Sequence, residues 1–171
     1  MRKAFIVLLI VTAVLAFGGV SLAIHQGSEG TSPPPKPQTD AGKVWQYISS
    51  LDNYTKWSLW PGTEKLYKGT QPHGAFLTTY VSEDALQSIK RKKGTLPNRS
   101  LVVKENYMPD KKLAAITVMY KVKGYNPEAG DWFWAKYKPD GTVEASGKVA
   151  GCIKCHSAKA SNDWVFTSDI K

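Results

Sequence analysis

The chain has 171 residues, 42% of them hydrophobic and 11% aromatic, and a formal charge of +9. That length is a prior for one domain, and the apolar content is enough to bury a core, which excludes an intrinsically disordered chain. The basic balance suits an acidic partner protein or an anionic membrane face, and since no nucleic-acid motif accompanies it, nucleic acid is excluded as the partner.

Met1-Arg2-Lys3 followed by an apolar run from Ala4 to Ile24 is a basic n-region and a long h-region, which predicts export from the cytoplasm. Ser21-Leu22-Ala23 offers small residues for cleavage, yet about 20 apolar residues are also long enough to span a bilayer uncleaved. Residues 1–24 are therefore a signal peptide or an N-terminal membrane anchor, with the rest of the chain in the periplasm, soluble or tethered to the inner membrane. Residues 25–40 hold Gly27, Gly30 and the cluster Pro33-Pro34-Pro35-Lys36-Pro37, which cannot build a core and should run extended as a linker.

The folded domain is expected over residues 41–171. Val44, Tyr47, Ile48 and Leu51 recur at helical spacing behind Asp40, a plausible N-cap, and the helix should end near Asp52-Asn53. Trp57 and Trp60 follow in an aromatic loop and read as core plugs. Ala75 to Val81 alternates as a strand, and Ser82 should cap a helix from Glu83 to Lys92 with acids first and bases last. Further strands are expected over Ser100–Tyr107, Leu113–Val122 and Asp131–Lys138, with a short fifth after Pro139-Asp140-Gly141. Hairpin-length connections imply an α+β fold: a mostly antiparallel sheet with a few helices.

Near the C-terminus stands Cys152-Ile153-Lys154-Cys155-His156, the C-x-x-C-H pattern of covalent c-type haem attachment. Each cysteine can form a thioether to one haem vinyl group, and His156 is placed to ligate the iron. No other cysteine exists, and a zinc site of about four ligands would have to draw on His25 and His73, both distant in sequence. Export agrees with this cofactor, because c-type haem is joined outside the cytoplasm.

From His73 onward the chain resembles the cytochrome P-460 and cytochrome c′-beta family. The resemblance lies in His73-Gly74 before a strand ending Tyr80-Val81, in Val102-Val103-Lys104-Glu105, and in Val118-Met119-Tyr120-Lys121-Val122-Lys123-Gly124-Tyr125. Gly130-Asp131-Trp132-Phe133-Trp134-Ala135-Lys136 and Asp163-Trp164-Val165-Phe166-Thr167 continue it in the same order. It implies a mostly antiparallel β domain, often dimeric, holding one five-coordinate c-type haem with an open distal side. Members of the P-460 type oxidise hydroxylamine and cross-link a lysine to the porphyrin edge, whereas c′-beta members bind nitric oxide in a more apolar pocket. Lys104 matches the cross-linking lysine, and the implied partners are a small nitrogen species and a redox protein.

By pattern alone Lys104 shares a solvated strand face with Ser100 and Asn106, away from Leu101 and Val103. Glu105 is a candidate proton acceptor, though a strand glutamate beside a lysine is more often a surface ion pair. Where hydroxylamine-oxidising relatives place a polar distal residue on the first strand, this chain has Phe76 and Leu77, an apolar wall that favours diatomic binding. The third class is an electron carrier whose iron is closed by a sixth ligand, for which Met119, Met108 and His73 are the candidates.

Overall fold

The computed structural model describes residues 34–70 and 72–171. The Ala4–Ile24 run and most of the expected linker lie outside them, and no described helix is long and apolar enough to cross a membrane. Residues 34–40 form neither helix nor strand, and they lie against the domain instead of standing free. The Tyr120 hydroxyl donates to the Pro37 carbonyl at 2.7 Å, and Lys36 Nζ pairs with Asp84 at 2.8 Å.

Asp40 caps helix α1 (Ala41–Gln46), its Oδ1 accepting from the Lys43 amide at 2.8 Å. The expected stripe then buries Val44, Tyr47 and Ile48, while Leu51 stays exposed. Leu51 drops out because the helix widens to a π-turn over Tyr47–Leu51, with the Asp52 amide donating to the Tyr47 carbonyl. Trp60 is fully buried, as a core plug should be.

Seven strands form one antiparallel sheet: β1 (Ser58–Leu59), β2 (Tyr67–Lys68), β3 (Phe76–Val81), β4 (Leu101–Tyr107), β5 (Leu113–Lys121), β6 (Trp132–Tyr137) and β7 (Val143–Gly147). From β3 to β7 neighbours in sequence are neighbours in the sheet, while β1 and β2 share the other edge of β3. Helix α2 (Glu83–Lys90) bridges β3 and β4. Ser82 precedes it with cap-like backbone, but its Oγ accepts from the Leu101 amide at 3.0 Å and so ties helix to strand.

Alternation along the strands gives the sheet two buried faces. One carries Tyr80, Leu101, Val103, Val118, Phe133 and Tyr137 against α1. The other carries Val81, Val102, Trp132 and Trp134 against α2, the C-terminal segment and helix α3 (Ala150–His156).

After α3 and a 3-10 turn over Ser157–Asn162, Asp163 and Trp164 both take left-handed backbone, at φ 52° and 68°. Such geometry costs on the order of 1–3 kcal/mol per residue and persists only where surroundings impose it. Asp163 Oδ2 accepts the Leu96 amide at 2.7 Å, Oδ1 pairs with partly buried Lys121, and the Asp163 carbonyl accepts the Trp132 indole N–H at 3.0 Å. Gly130 supplies the space: a Cβ there would stand 2.5 Å from the Trp164 ring, and its own φ of 68° suits glycine.

Removing Asp163 leaves the partly buried Lys121 ammonium with only the Trp132 ring beside it and the buried Leu96 amide without its acceptor. Asp163→Ala is expected to lower unfolding free energy by about 3–5 kcal/mol in denaturant titration, against under about 1 kcal/mol for Lys112→Ala, which breaks only the exposed Lys112–Asp110 pair. Equal losses in the two variants would remove Asp163 as the anchor of this turn.

Candidate functional site

Strand pairing arranges the α3-facing side of the sheet into rows. Val81, Val102, Met119 and Trp134 form one; Thr79, Lys104, Thr117 and Lys136 the next; Leu77, Asn106 and Ala115 the third. Consecutive rows lie about 6.6 Å apart, two residues of strand. Over the first two rows opens a cleft of about 140 Å³, bordered by α3, by Val165-Phe166-Thr167 and by Pro72-His73.

Within α3, Cys152 and Cys155 both line the cleft, the first half-buried and the second exposed. Burial pushes the Cys152 thiol up. His156 is buried beside the first row, its ring 4.6 Å from that of Trp134 and 5.2 Å from that of Phe166. Its Nδ1 lies 2.7 Å from the Trp164 carbonyl oxygen, which can only accept. Nδ1 therefore carries the proton, and Nε2 keeps a free lone pair. Burial also lowers the His156 pKa against the opposing effect of that hydrogen bond, so the ring is a neutral donor.

His73 stands on the third-row side. Asn106 Nδ2 donates to the Lys104 carbonyl at 2.9 Å and the Ala115 carbonyl at 3.2 Å, which leaves Oδ1 to accept the His73 Nδ1 proton at 2.8 Å. Burial, helped by the Lys104 charge, takes the His73 pKa down to about 4. The two imidazoles stand 6.3 Å apart between centroids with their planes at 88°.

Lys104 occupies the middle row. Its strand face is covered by α3 and the cleft, so it is not the solvated face that local alternation describes. Burial lowers its ammonium pKa to about 8.

Glu105 points the other way. Its carboxylate is buried among the aromatic residues under α1, accepting from the Tyr54 hydroxyl at 2.9 Å and the Tyr107 hydroxyl at 2.7 Å. Both phenols are driven well above their ordinary pKa by burial and by that neighbouring carboxylate. Glu105 is neither a surface ion pair nor within reach of the cleft, because successive strand residues alternate faces. The expectation of a proton acceptor at Glu105 is corrected on that ground.

Phe76 and Leu77 do not line the cleft either. Phe76 pairs with Tyr107 under the Lys111 ammonium, and Leu77 is buried in the third row. The apolar lining comes instead from Val102, Met119, Trp134, Val165 and Phe166. Met119 shares the His156-side row with Trp134, and Met108 lies half-exposed in the β4–β5 turn away from the cleft. Trp134, Asn106 and the Trp164 carbonyl were not singled out as site groups from sequence. The only signal for them was the family-like order of Gly130–Lys136 and Asp163–Thr167.

A haem fits these residues. The cleft lining is largely apolar, the one histidine beside the cysteines has its metal-binding nitrogen free, and the buried Trp134 Nε1 has no hydrogen-bond partner. No three His, Cys, Asp or Glu side chains among the described residues gather into a metal cluster, which argues against zinc.

Residues 52–167 match the family model described as Cytochrome P460, and that family implies a haem cofactor. No curated protein matches the chain.

Lys104 carries a pH signature. Its folded pKa of about 8 lies below the ordinary lysine value of 10.5, so the buried ammonium destabilises the haem-free fold fully below pH 8, and that penalty fades as pH rises to 10.5. Lys104→Met is therefore expected to stabilise the haem-free protein at pH 7 by roughly 1–3 kcal/mol, with the gain shrinking above pH 8. A gain that does not change with pH would show that the Lys104 ammonium is hydrated.

Proposed function

This chain belongs to the cytochrome P460 family, and from that premise we propose that it is a periplasm-facing cytochrome with one covalent haem c that oxidises hydroxylamine. Cys152 and Cys155 hold the haem by thioethers, and His156 is its proximal ligand. The observation that carries the activity is Lys104, an amine that burial brings close to neutrality at the centre of the cleft, in the position matching the cross-linking lysine of hydroxylamine-oxidising relatives.

Haem iron supplies electron exchange with a small ligand at its distal face. The chain's own groups do the rest. The Trp164 carbonyl fixes the His156 tautomer and raises the basicity of Nε2. Val102, Met119, Val165 and Phe166 keep water from the cleft, which strengthens electrostatic interactions inside it. Electrons leave to an acidic redox partner, drawn by a chain of net charge +9. The N-terminal segment delivers the domain to the periplasm as a signal or holds it at the inner membrane as an anchor.

That same apolar lining favours a second reading, nitric oxide binding without turnover. The number of haem attachments separates the two. Protein matured in an exporting host with haem-attachment machinery is expected to keep its haem through acid–organic extraction and to lose stable attachment in Cys152→Ser with Cys155→Ser. Proteolysis is expected to yield a haem carrying three peptide attachments, one at Lys104, and Lys104→Ala to restore an ordinary c-type spectrum and abolish hydroxylamine oxidation. Two attachments with a spectrum unchanged in Lys104→Ala would leave the nitric oxide binder, and haem that extracts from the parent protein would sink both.

A further inference from the structure

We propose that the exposed surface of α3 and of the segment after it, which carries Lys154, Lys159 and Phe166, is the docking face for an acidic protein that takes single electrons from the haem. This rests on the haem reading above and gives its redox partner a place on the molecule.

The first observation is access. An electron crosses between proteins only over a short distance, so the partner must meet this chain where the haem comes to the surface. Cys155 borders the cleft and is exposed, and a porphyrin joined to its Sγ has that edge at the surface. Phe166 borders the same cleft, is 45% exposed, and holds its ring 5.2 Å from that of His156. One exposed side chain thus leads to the porphyrin and another to the iron's proximal ligand.

The second is charge. Residues 145–162 hold Lys148, Lys154 and Lys159 and no Asp or Glu, and all three lysines are exposed. Ion pairs among the described residues engage Lys36, Lys112, Lys121 and Lys136, and none of these three. Of the two acids that follow, Asp163 is buried on Lys121 and only Asp169 is exposed. A positive face without neutralising carboxylates draws an acidic partner and orients it during encounter.

The third is how the aromatic ring and the charge are combined. Lys159 Nζ stands over the exposed Phe166 ring, 5.8 Å from its centroid. An aromatic contact with cations beside it has the make-up of a protein interface, and its small extent suits a brief redox encounter. An anionic lipid surface would match the charge but accepts no electron, so only a protein uses both the cations and the exposed haem edge. The step itself moves one electron from ferrous haem to the partner's oxidised centre, with no bond made or broken and no proton transferred.

The test uses the full chain carrying its haem, with covalent haem first verified by mass. Ferrous protein is mixed rapidly with an oxidised acidic type 1 copper protein, and haem oxidation and copper reduction are followed together. Lys154→Glu with Lys159→Glu is expected to slow this second-order reaction on the order of tenfold or more at about 0.01 M ionic strength. The difference should collapse near 1 M salt, where the Debye length falls to about 3 Å. Lys43→Glu with Lys56→Glu makes the same change in net charge at exposed positions in and after α1, across the sheet from α3, and should alter the rate by less than about twofold. Lys154 lies between the two cysteines; if its replacement hinders haem attachment, Lys159→Glu alone carries the same readout. Equal slowing by the two pairs overturns the docking face in favour of net charge, and an unchanged rate in the α3 pair overturns it outright. Loss of binding to phosphatidylserine vesicles in the α3 pair, with the copper-protein rate intact, would make the face a lipid surface instead. A parent protein that holds no haem after maturation overturns the haem reading and this assignment together.

Discussion

A β-strand advances about 6.6 Å for every two residues, and that step governs the whole site. On β4 it sets Val102, Lys104 and Asn106 in register on one face, so that the same strand supplies the wall beside His156, the amine at the centre of the cleft and the tether of His73. Cross-strand neighbours extend each position into a row, with Trp134 against His156 in the first and Thr117 beside Lys104 in the second. The cleft therefore takes its dimensions from backbone periodicity, the least adjustable quantity in the fold.

The same alternation explains how two polar side chains next to each other in sequence meet opposite fates. Lys104 enters the cleft with no charged partner, and burial depresses its pKa. Glu105, one residue on, is buried too, but two tyrosine hydroxyls donate to it. A buried carboxylate with hydrogen-bond donors is stable scaffolding, whereas a buried amine without a partner is held at a cost in folding free energy. The sheet thus sorts one dipeptide into a satisfied half and an unsatisfied half.

Much of the fold was legible in the chain. The strands from β3 to β7 and the Asp40 cap each follow from local pattern, because each depends on residues within a few positions of one another. What local pattern does not carry is which face of a strand another element will cover. Lys104 and Asn106 were placed on the correct face, yet that face looked solvated because α3, which covers it, lies more than forty residues away. The two-residue strands β1 and β2 are too short to alternate, and the π-turn after α1 depends on one hydrogen bond that composition does not encode. Trp164 enters the site through its carbonyl, a group every residue has, and only its left-handed backbone marks it out.

The two histidines are held with unequal firmness. His156 sits in α3 directly after Cys155, with its Nδ1 on a main-chain carbonyl locked by the Asp163 contacts and the Gly130 seat. His73 comes from a loop rather than a helix, and its Nδ1 depends on one side-chain amide. Releasing His156 means breaking a buried ion pair and two strained residues out of their hydrogen bonds; releasing His73 means breaking one hydrogen bond and moving a loop. Since local openings draw on the weakest contacts first, the His73 loop opens before the turn that holds His156. The difference lies in the anchor, a main-chain carbonyl for one imidazole and a side-chain amide for the other.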